Sequence, residues 1–270
     1  MCLIVFNWQP SEKRMLTLAS NRDEFYARPS QNAHFWDDYP NIFGGRDLKM
    51  KGTWLATSKN MRLAAITNYR SPSSQTFSRS RGEIPFLFLN STLSAIDYAQ
   101  KIPKREFAGF NVILFDGKDL VYCHNQKNSS NEYDAATILP AGHYGLSNHL
   151  LNTPWPKVKK TKNALEKIDI LNNNAEISQH LLSALQNTET ANDNQLPNTG
   201  VGLGTERLLS SAFITSPVYG TRTSTIIIVE KLAVTSPYAG QVFFHERQYL
   251  KNVNQFNDQV HTITSTTLQT

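Results

Sequence analysis

Only two cysteines, Cys2 and Cys123, occur in the 270 residues, too few for a disulfide framework and without the paired spacing of a zinc site. A single bridge between them can be drawn, but two free thiols in a reducing cytoplasm is the simpler expectation. No apolar run reaches the ~18 residues of a membrane-spanning helix. The longest, around Phe86–Leu89 and Ile226–Val229, are the size of strands or core helices. The first residues lack a basic leader, and charge follows their short apolar segment at once, so they are not expected to act as a signal peptide. Charge of one sign is also in short supply. Lys+Arg number 27 against 22 Asp+Glu, for a net charge of +5 and a pI near 9.1. Apart from Lys157–Lys162 the positive residues are scattered. Nucleic-acid binding is therefore not expected, whereas a mild attraction to carboxylates or phosphates is left open.

What is present suits a globular enzyme or binding protein. A hydrophobic share of 40% with 10% aromatics is enough to bury a sizeable core. Apolar residues 2–8 and 15–20 flank a turn at Gln9–Lys13 and read as a hairpin. Asn21-Arg22-Asp23-Glu24 ends its second strand. Residues 25–42 read as a long loop, and Trp54–Ser58 with Arg62–Thr67 as a second hairpin. After a polar stretch at 70–82, three- and four-residue apolar spacing indicates a helix over 84–101, stopped by Pro103. Strands at 110–115 and 120–123 follow, then an extended piece at 143–147 and helices at 157–168 and 175–185. A polar loop covers 187–206, and strands close the core at 211–215, 222–229 and 241–246. Its Gly200, Gly202 and Gly204 follow no strand, so no phosphate cradle is expected there. Strands come in hairpins and helices gather mid-chain, which excludes a βαβ sheet and indicates an α+β fold of antiparallel sheets with helices on their faces. A single domain over 1–252 is expected, with 253–270 a polar C-terminal tail prone to disorder.

Cys2 carries the most chemical information. Methionine aminopeptidases remove Met1 ahead of a small second residue, and cysteine qualifies. The chain would then start with a thiol and a free α-amine on one residue, with ordinary pKa values of about 8.5 and 7.7–8.0. The amine can take the thiol's proton, so the nucleophile brings its own general base. The competing reading is a small buried side chain at the start of a strand. If the two first strands pair, the Asn21-Arg22-Asp23-Glu24 block comes close to Cys2. An arginine there favours thiolate, and a carboxylate can hold the amine. A solvated hairpin end with a local Arg–carboxylate pair is the alternative.

Met1-Cys2, Asn21-Arg22-Asp23-Glu24, Thr67-Asn68-Tyr69-Arg70, Ser80-Arg81-Gly82, Gly145-Leu146-Ser147-Asn148, Thr153-Pro154-Trp155-Pro156-Lys157 and Tyr219-Gly220-Thr221-Arg222-Thr223-Ser224-Thr225 occur in this order. Together they closely resemble the NRDE family, also called the transport and Golgi organization protein 2 family, from residue 1 to about 250. The resemblance implies an N-terminal-nucleophile hydrolase-like fold, a four-layer αββα sandwich of two antiparallel sheets. It also implies kinship with the cysteine branch that includes penicillin acylases and bile-salt hydrolases.

Carried over by motif, Cys2 is the nucleophile and Arg22 and Asp23 match the early Arg/Asp pair. The order Asn-Arg-Asp differs from that branch, which leaves open whether Asp23 or Glu24 faces the thiol. Asn68 and Asn148 are the expected oxyanion donors, with capping of strand ends as the alternative. Arg222 is expected to face the thiolate or an acidic substrate group, and Arg70 to do so from the loop side, unless either is a structural partner of Asp23 or Glu24. Asn21, Glu24, Arg70 and Trp54 complete the expected substrate-binding set. The implied activity is hydrolysis of a linear amide or thioester through an acyl-cysteine. The alternative is a non-enzymatic carrier of haem or of lipid or acyl-CoA, and no cofactor is needed for the hydrolase.

Overall fold

The computed structural model describes residues 2–71, 75–232, 240–250 and 252–265. Met1, whose removal the nucleophile reading requires, and residues 266–270 of the expected tail lie outside them. The first sheet contains β10 (Gly142–Leu146), β1 (Cys2–Trp8), β2 (Arg14–Phe25), β11 (Tyr219–Lys231), β12 (Gly240–Tyr249) and β13 (Phe256–Ser265), in that spatial order. The second contains β3 (Ser30–Phe35), β4 (Ile42–Asp47), β5 (Leu55–Ser58), β6 (Leu63–Asn68), β7 (Phe110–Phe115), β8 (Leu120–His124) and β9 (Thr137–Ile138). Every neighbouring pair is antiparallel.

The two-residue period of a strand assigns each face. In β1, Ile4, Phe6 and Trp8 enter the core between the sheets, with Leu16 and Leu18 of β2 beside them. Leu3 and Val5 face the other way, onto α3 (Pro156–Leu165) and α4 (Asn174–Leu185). The outer face of the second sheet is covered by α1 (Glu83–Leu89) and α2 (Ala95–Lys101) through Ile84, Phe88, Ala95 and Ala99. Helices, sheet, sheet, helices give four layers, the α+β sandwich that the resemblance implies. Among the described residues no helix is long and apolar enough to cross a membrane.

Several local expectations are corrected. Asn21-Arg22-Asp23-Glu24 does not end β2 but lies within it, because β11 pairs with the strand as far as Phe25. Residues 25–42 are not one loop: they hold β3 and lead into β4. The helix over 84–101 is two, since Ser94 opens α2 by accepting from the Asp97 N–H. Residues 211–215 form no strand. Their polar groups are met outside a ladder, by Ser211 Oγ donating to the Phe213 carbonyl, Ile214 N–H donating to Thr221 Oγ1, Phe213 N–H donating to the Asn187 carbonyl and the Ala212 carbonyl accepting from Asn21. The loop at 187–206 runs into α5 (Leu203–Leu208). Most of the expected tail is β13, paired with β12 from Gly240↔Ser265 to Tyr249↔Phe256. Its Thr/Asn/Gln-rich composition belongs to an edge strand with a solvated face.

Asn21 is also corrected. It is fully buried, and its Nδ2 donates to the carbonyls of Leu185 at 2.9 Å and Ala212 at 2.8 Å while Oδ1 accepts from Ser224 Oγ at 2.5 Å. Both amide hydrogens are spent tying β2 to the end of α4 and to Ala212, and the fully buried side chain is not among the residues lining the cavity beside Cys2, so it is not placed to touch substrate. Asn21→Ala is expected to cost on the order of 2–4 kcal/mol in denaturant unfolding, because buried carbonyls lose their donor. A residue that only touched substrate would change stability by no more than about 0.5 kcal/mol.

Candidate active site

The register of β1 on β2 sets Cys2 directly opposite Arg22. Both lie on the face that looks between the sheets, at the end where the apolar core stops. The Cys2 backbone is fixed from the residue just past β10, where Ser147 Oγ donates to the Cys2 carbonyl at 3.1 Å. The Ser147 carbonyl in turn accepts from Thr67 Oγ1 of β6 at 2.7 Å. Cys2 is 9% exposed and borders a cavity of about 130 Å³ with Arg22, Asp23, Glu24, Trp54, Asn68 and Arg81. Arg28, Asp47 and Ser80 also line it.

Arg22 is buried, and its guanidinium stacks on the Trp54 ring at 4.1 Å. The stacking depends on Gly45, since a Cβ there would come within 2.2 Å of that ring. Burial lowers the Arg22 pKa and nearby Glu24 raises it; a guanidinium nevertheless stays charged. Burial pushes the Cys2 thiol above its ordinary value, and Arg22 is one of the charges pulling it back. A permanent cation beside a desolvated sulfur is an arrangement that favours thiolate.

Asp23 and Glu24 part company. Glu24 turns to the guanidiniums, 4.0 Å from Arg22 and 3.7 Å from Arg28. Asp23 is buried, and its Oδ1 accepts from Thr221 Oγ1 at 2.6 Å. Burial pushes its carboxyl up, while Lys157 and the Thr221 hydroxyl are among the influences holding it down.

Three expected residues are placed differently. Arg222 occupies a register shift of β11 between Thr221 and Thr223. Its Nη1 donates to the carbonyls of Phe25 at 3.2 Å and Arg28 at 2.7 Å, so it staples the end of β2 and is not among the cavity's lining residues. Arg70 pairs at 2.5 Å with Glu206 of α5, both buried. Arg70 is thus in an ion pair, as the alternative had it, but its partner is Glu206 of a distant helix and not Asp23 or Glu24. Asn148 Nδ2 donates to the Asn68 carbonyl at 3.1 Å. Asn148 is fully buried and is not among the cavity's lining residues, so Asn68, which lines the cavity, is the asparagine placed to meet a substrate oxygen.

Lys157, Arg81, Arg28 and Asp47 were not foreseen as site residues. Lys157 and Arg81 stand in the Trp-Pro-Lys and Ser-Arg-Gly blocks, but spacing alone does not say that α3 and the residue before Gly82 meet at β1. Lys157 is fully enclosed, and among the described residues its Nζ has no hydrogen-bond partner. Burial lowers its pKa to about 8, against the attraction of Asp23. Among the described residues no three His, Cys, Asp or Glu side chains lie close enough to hold a metal ion.

The family model described as "Transport and Golgi organisation 2" matches residues 1–251. The chain is 36% identical to the Transport and Golgi organization protein 2 homolog of Homo sapiens, over 93% of this chain and 94% of that protein. It is 35% identical to the Mus musculus homolog over the same shares. Identity to the Drosophila melanogaster protein is 28%, over 85% of this chain and 88% of that one. Among solved structures, a Caenorhabditis elegans N-acylethanolamine-hydrolyzing acid amidase ortholog is 10% identical. It overlaps 84% of this chain and 92% of its own at a TM-score of 0.37, a superposition too loose to bear on the reaction.

Lys157 makes a pH prediction. Its proton leaves near pH 8 in the folded chain but near 10.5 when unfolded. Between those values the unfolded state holds more protons, so stability gains from this residue as pH rises. Relative to Lys157→Met, the wild type is expected to gain on the order of 3 kcal/mol between pH 8 and 10.5 in denaturant unfolding. A difference that stays constant with pH would contradict the burial of a charged Nζ.

Proposed function

The chain belongs to the transport and Golgi organisation 2 family, and from that premise we propose that it is a thiol-dependent hydrolase of linear acyl amides or thioesters. The observation that carries this reading is the Cys2↔Arg22 pairing at the wall of a cavity. Removal of Met1 frees the α-amine of Cys2. With an ordinary pKa of about 7.7–8.0, that amine accepts the S–H proton as sulfur attacks the carbonyl carbon.

Arg22 stabilises the negative charge that develops on the sulfur, and Asp23 offers a carboxylate to the ammonium that forms. The carbonyl oxygen becomes an oxyanion within reach of Asn68. Collapse of the tetrahedral adduct breaks the C–N or C–S bond, and the ammonium returns its proton to the departing amine or thiol. Water then attacks the acyl-Cys2 thioester, giving up a proton to the amine. Release of the carboxylic acid restores the thiol. The chemistry needs a reduced sulfur, so the reading includes a reducing compartment such as the cytoplasm.

A carrier of haem is the weaker reading. The volume beside Cys2 is about 130 Å³ and charged residues line much of it, whereas haem needs a large apolar slot.

Cys2→Ser and Cys2→Ala are expected to lower turnover of linear amide and thioester probes by at least about 10³-fold. Intact mass of active wild type is expected to lack Met1 and to gain one adduct with iodoacetamide. Full activity in Cys2→Ala, or in protein that retains Met1, would contradict the mechanism.

A further inference from the structure

The Cys2 cavity is lined by three guanidiniums, Arg22, Arg28 and Arg81, and three carboxylates, Asp23, Glu24 and Asp47. Arg28 draws on Asp47 and Glu24. Its Nη2 lies 2.6 Å from Asp47 Oδ2, its Nε donates to the same oxygen at 2.7 Å, and Glu24 is 3.7 Å away. Arg22 is left with Glu24 at 4.0 Å and the Ser30 hydroxyl at 3.4 Å, both long contacts. Arg81 donates Nη1 to the Gly109 carbonyl at 3.1 Å, and no ion pair joins it to an acid among the described residues. Burial lowers its pKa, with the Cys2 and Glu24 charges acting the other way. A half-buried guanidinium thus has donors to spare beside Cys2 and no carboxylate of its own.

Arg81 is also held in place. The next residue, Gly82, packs so closely on Gly52 that a Cβ on Gly52 would sit 2.4 Å from the Gly82 carbonyl. That carbonyl accepts from Thr53 N–H at 3.1 Å. A cation on fixed backbone is preorganised and loses little freedom when it binds an anion.

We propose that this cavity selects acyl compounds bearing a carboxylate close to the carbonyl under attack, and that Arg81 is the residue that recognises it. The inference rests on Cys2 as nucleophile and adds the substrate class. A carboxylate supplies the acid that Arg81 lacks, and a neutral acyl group leaves that guanidinium without one. Planar carboxylate also matches the guanidinium fork.

Iodoacetate and iodoacetamide test this, because they differ little except in the charge beside the reacting carbon. Each alkylates a thiolate with loss of iodide. Labelling of Cys2 by each reagent is followed by peptide mass analysis in full-length protein. The iodoacetate-to-iodoacetamide rate ratio at Cys2 is expected to exceed that of free cysteine by at least about tenfold, the scale of one charge-assisted hydrogen bond. Arg81→Met is expected to return the ratio to the free-cysteine value, and Arg81→Lys to restore part of it. Propionate is expected to protect Cys2 from iodoacetamide better than inorganic phosphate does. A wild-type ratio equal to that of free cysteine, a ratio unmoved by Arg81→Met, or stronger protection by phosphate would overturn the inference. Absence of labelling by both reagents would remove the nucleophile itself and this inference with it. Labelling without charge preference sinks only the present proposal.

Discussion

The chemistry of this chain depends on one strand pairing. Cys2 opens β1 and Arg22 lies across from it on β2. The two-residue period then turns both toward the gap between the sheets, while Leu3 and Asn21 turn to the helices. A slip of one residue would reverse every face, sending the sulfur under α3 and α4 and leaving the site without its nucleophile. The register is strongly determined, because Ile4, Phe6 and Trp8 on one side and Leu3 and Val5 on the other occupy two separate cores. Burial of the apolar residues along β1 thus aims the polar residue at its end.

Contacts around Cys2 and Arg22 hold that end open. Trp54 supports Arg22 and itself depends on the absence of a side chain at Gly45. Ser147 holds the Cys2 carbonyl and Asn148 holds the Asn68 carbonyl, so neighbouring residues after β10 secure parts of both sheets. On the helix side, Thr221 hydroxyl and Lys157 keep a buried Asp23 from rising further in pKa. The Arg70–Glu206 pair ties the end of β6 to α5. A buried ion pair of this kind adds little net stability but costs heavily if one partner is removed. Its contribution here is to fix the position of α5 rather than to bind substrate.

The sequence made much of the framework legible. Apolar alternation located β1, the start of β2, β5 to β8 and the centres of β11 and β12, and the order of motifs pointed to Cys2, Arg22, Asp23, Glu24 and Asn68, which border one cavity together with Trp54, the aromatic expected to contact substrate. Residues near one another in hairpins were readable because their spacing fixes their geometry. What failed was long-range. Nothing local in Arg70 indicates Glu206, 136 positions later, and nothing in Arg222 indicates that a bulge will turn it onto the carbonyls of Phe25 and Arg28. Lys157 and Arg81 arrive from α3 and from the loop before α1, so their meeting with Cys2 is a product of layer packing. The polar β13 was read as a tail because an edge strand needs only one apolar face, and here Ile263 supplies most of it.

The central claim is that Cys2, freed at its amine and set beside Arg22, attacks carbonyl carbon. The most direct measurement mixes the full-length protein with 4-nitrophenyl acetate, quenches in acid within the first turnover, and reads intact and peptide masses. The account predicts one acetyl group on a chain that starts at Cys2, located on that residue and released as the reaction proceeds. Steady release of nitrophenolate with Cys2 unmodified at every time, or the acetyl group on another side chain, would contradict it.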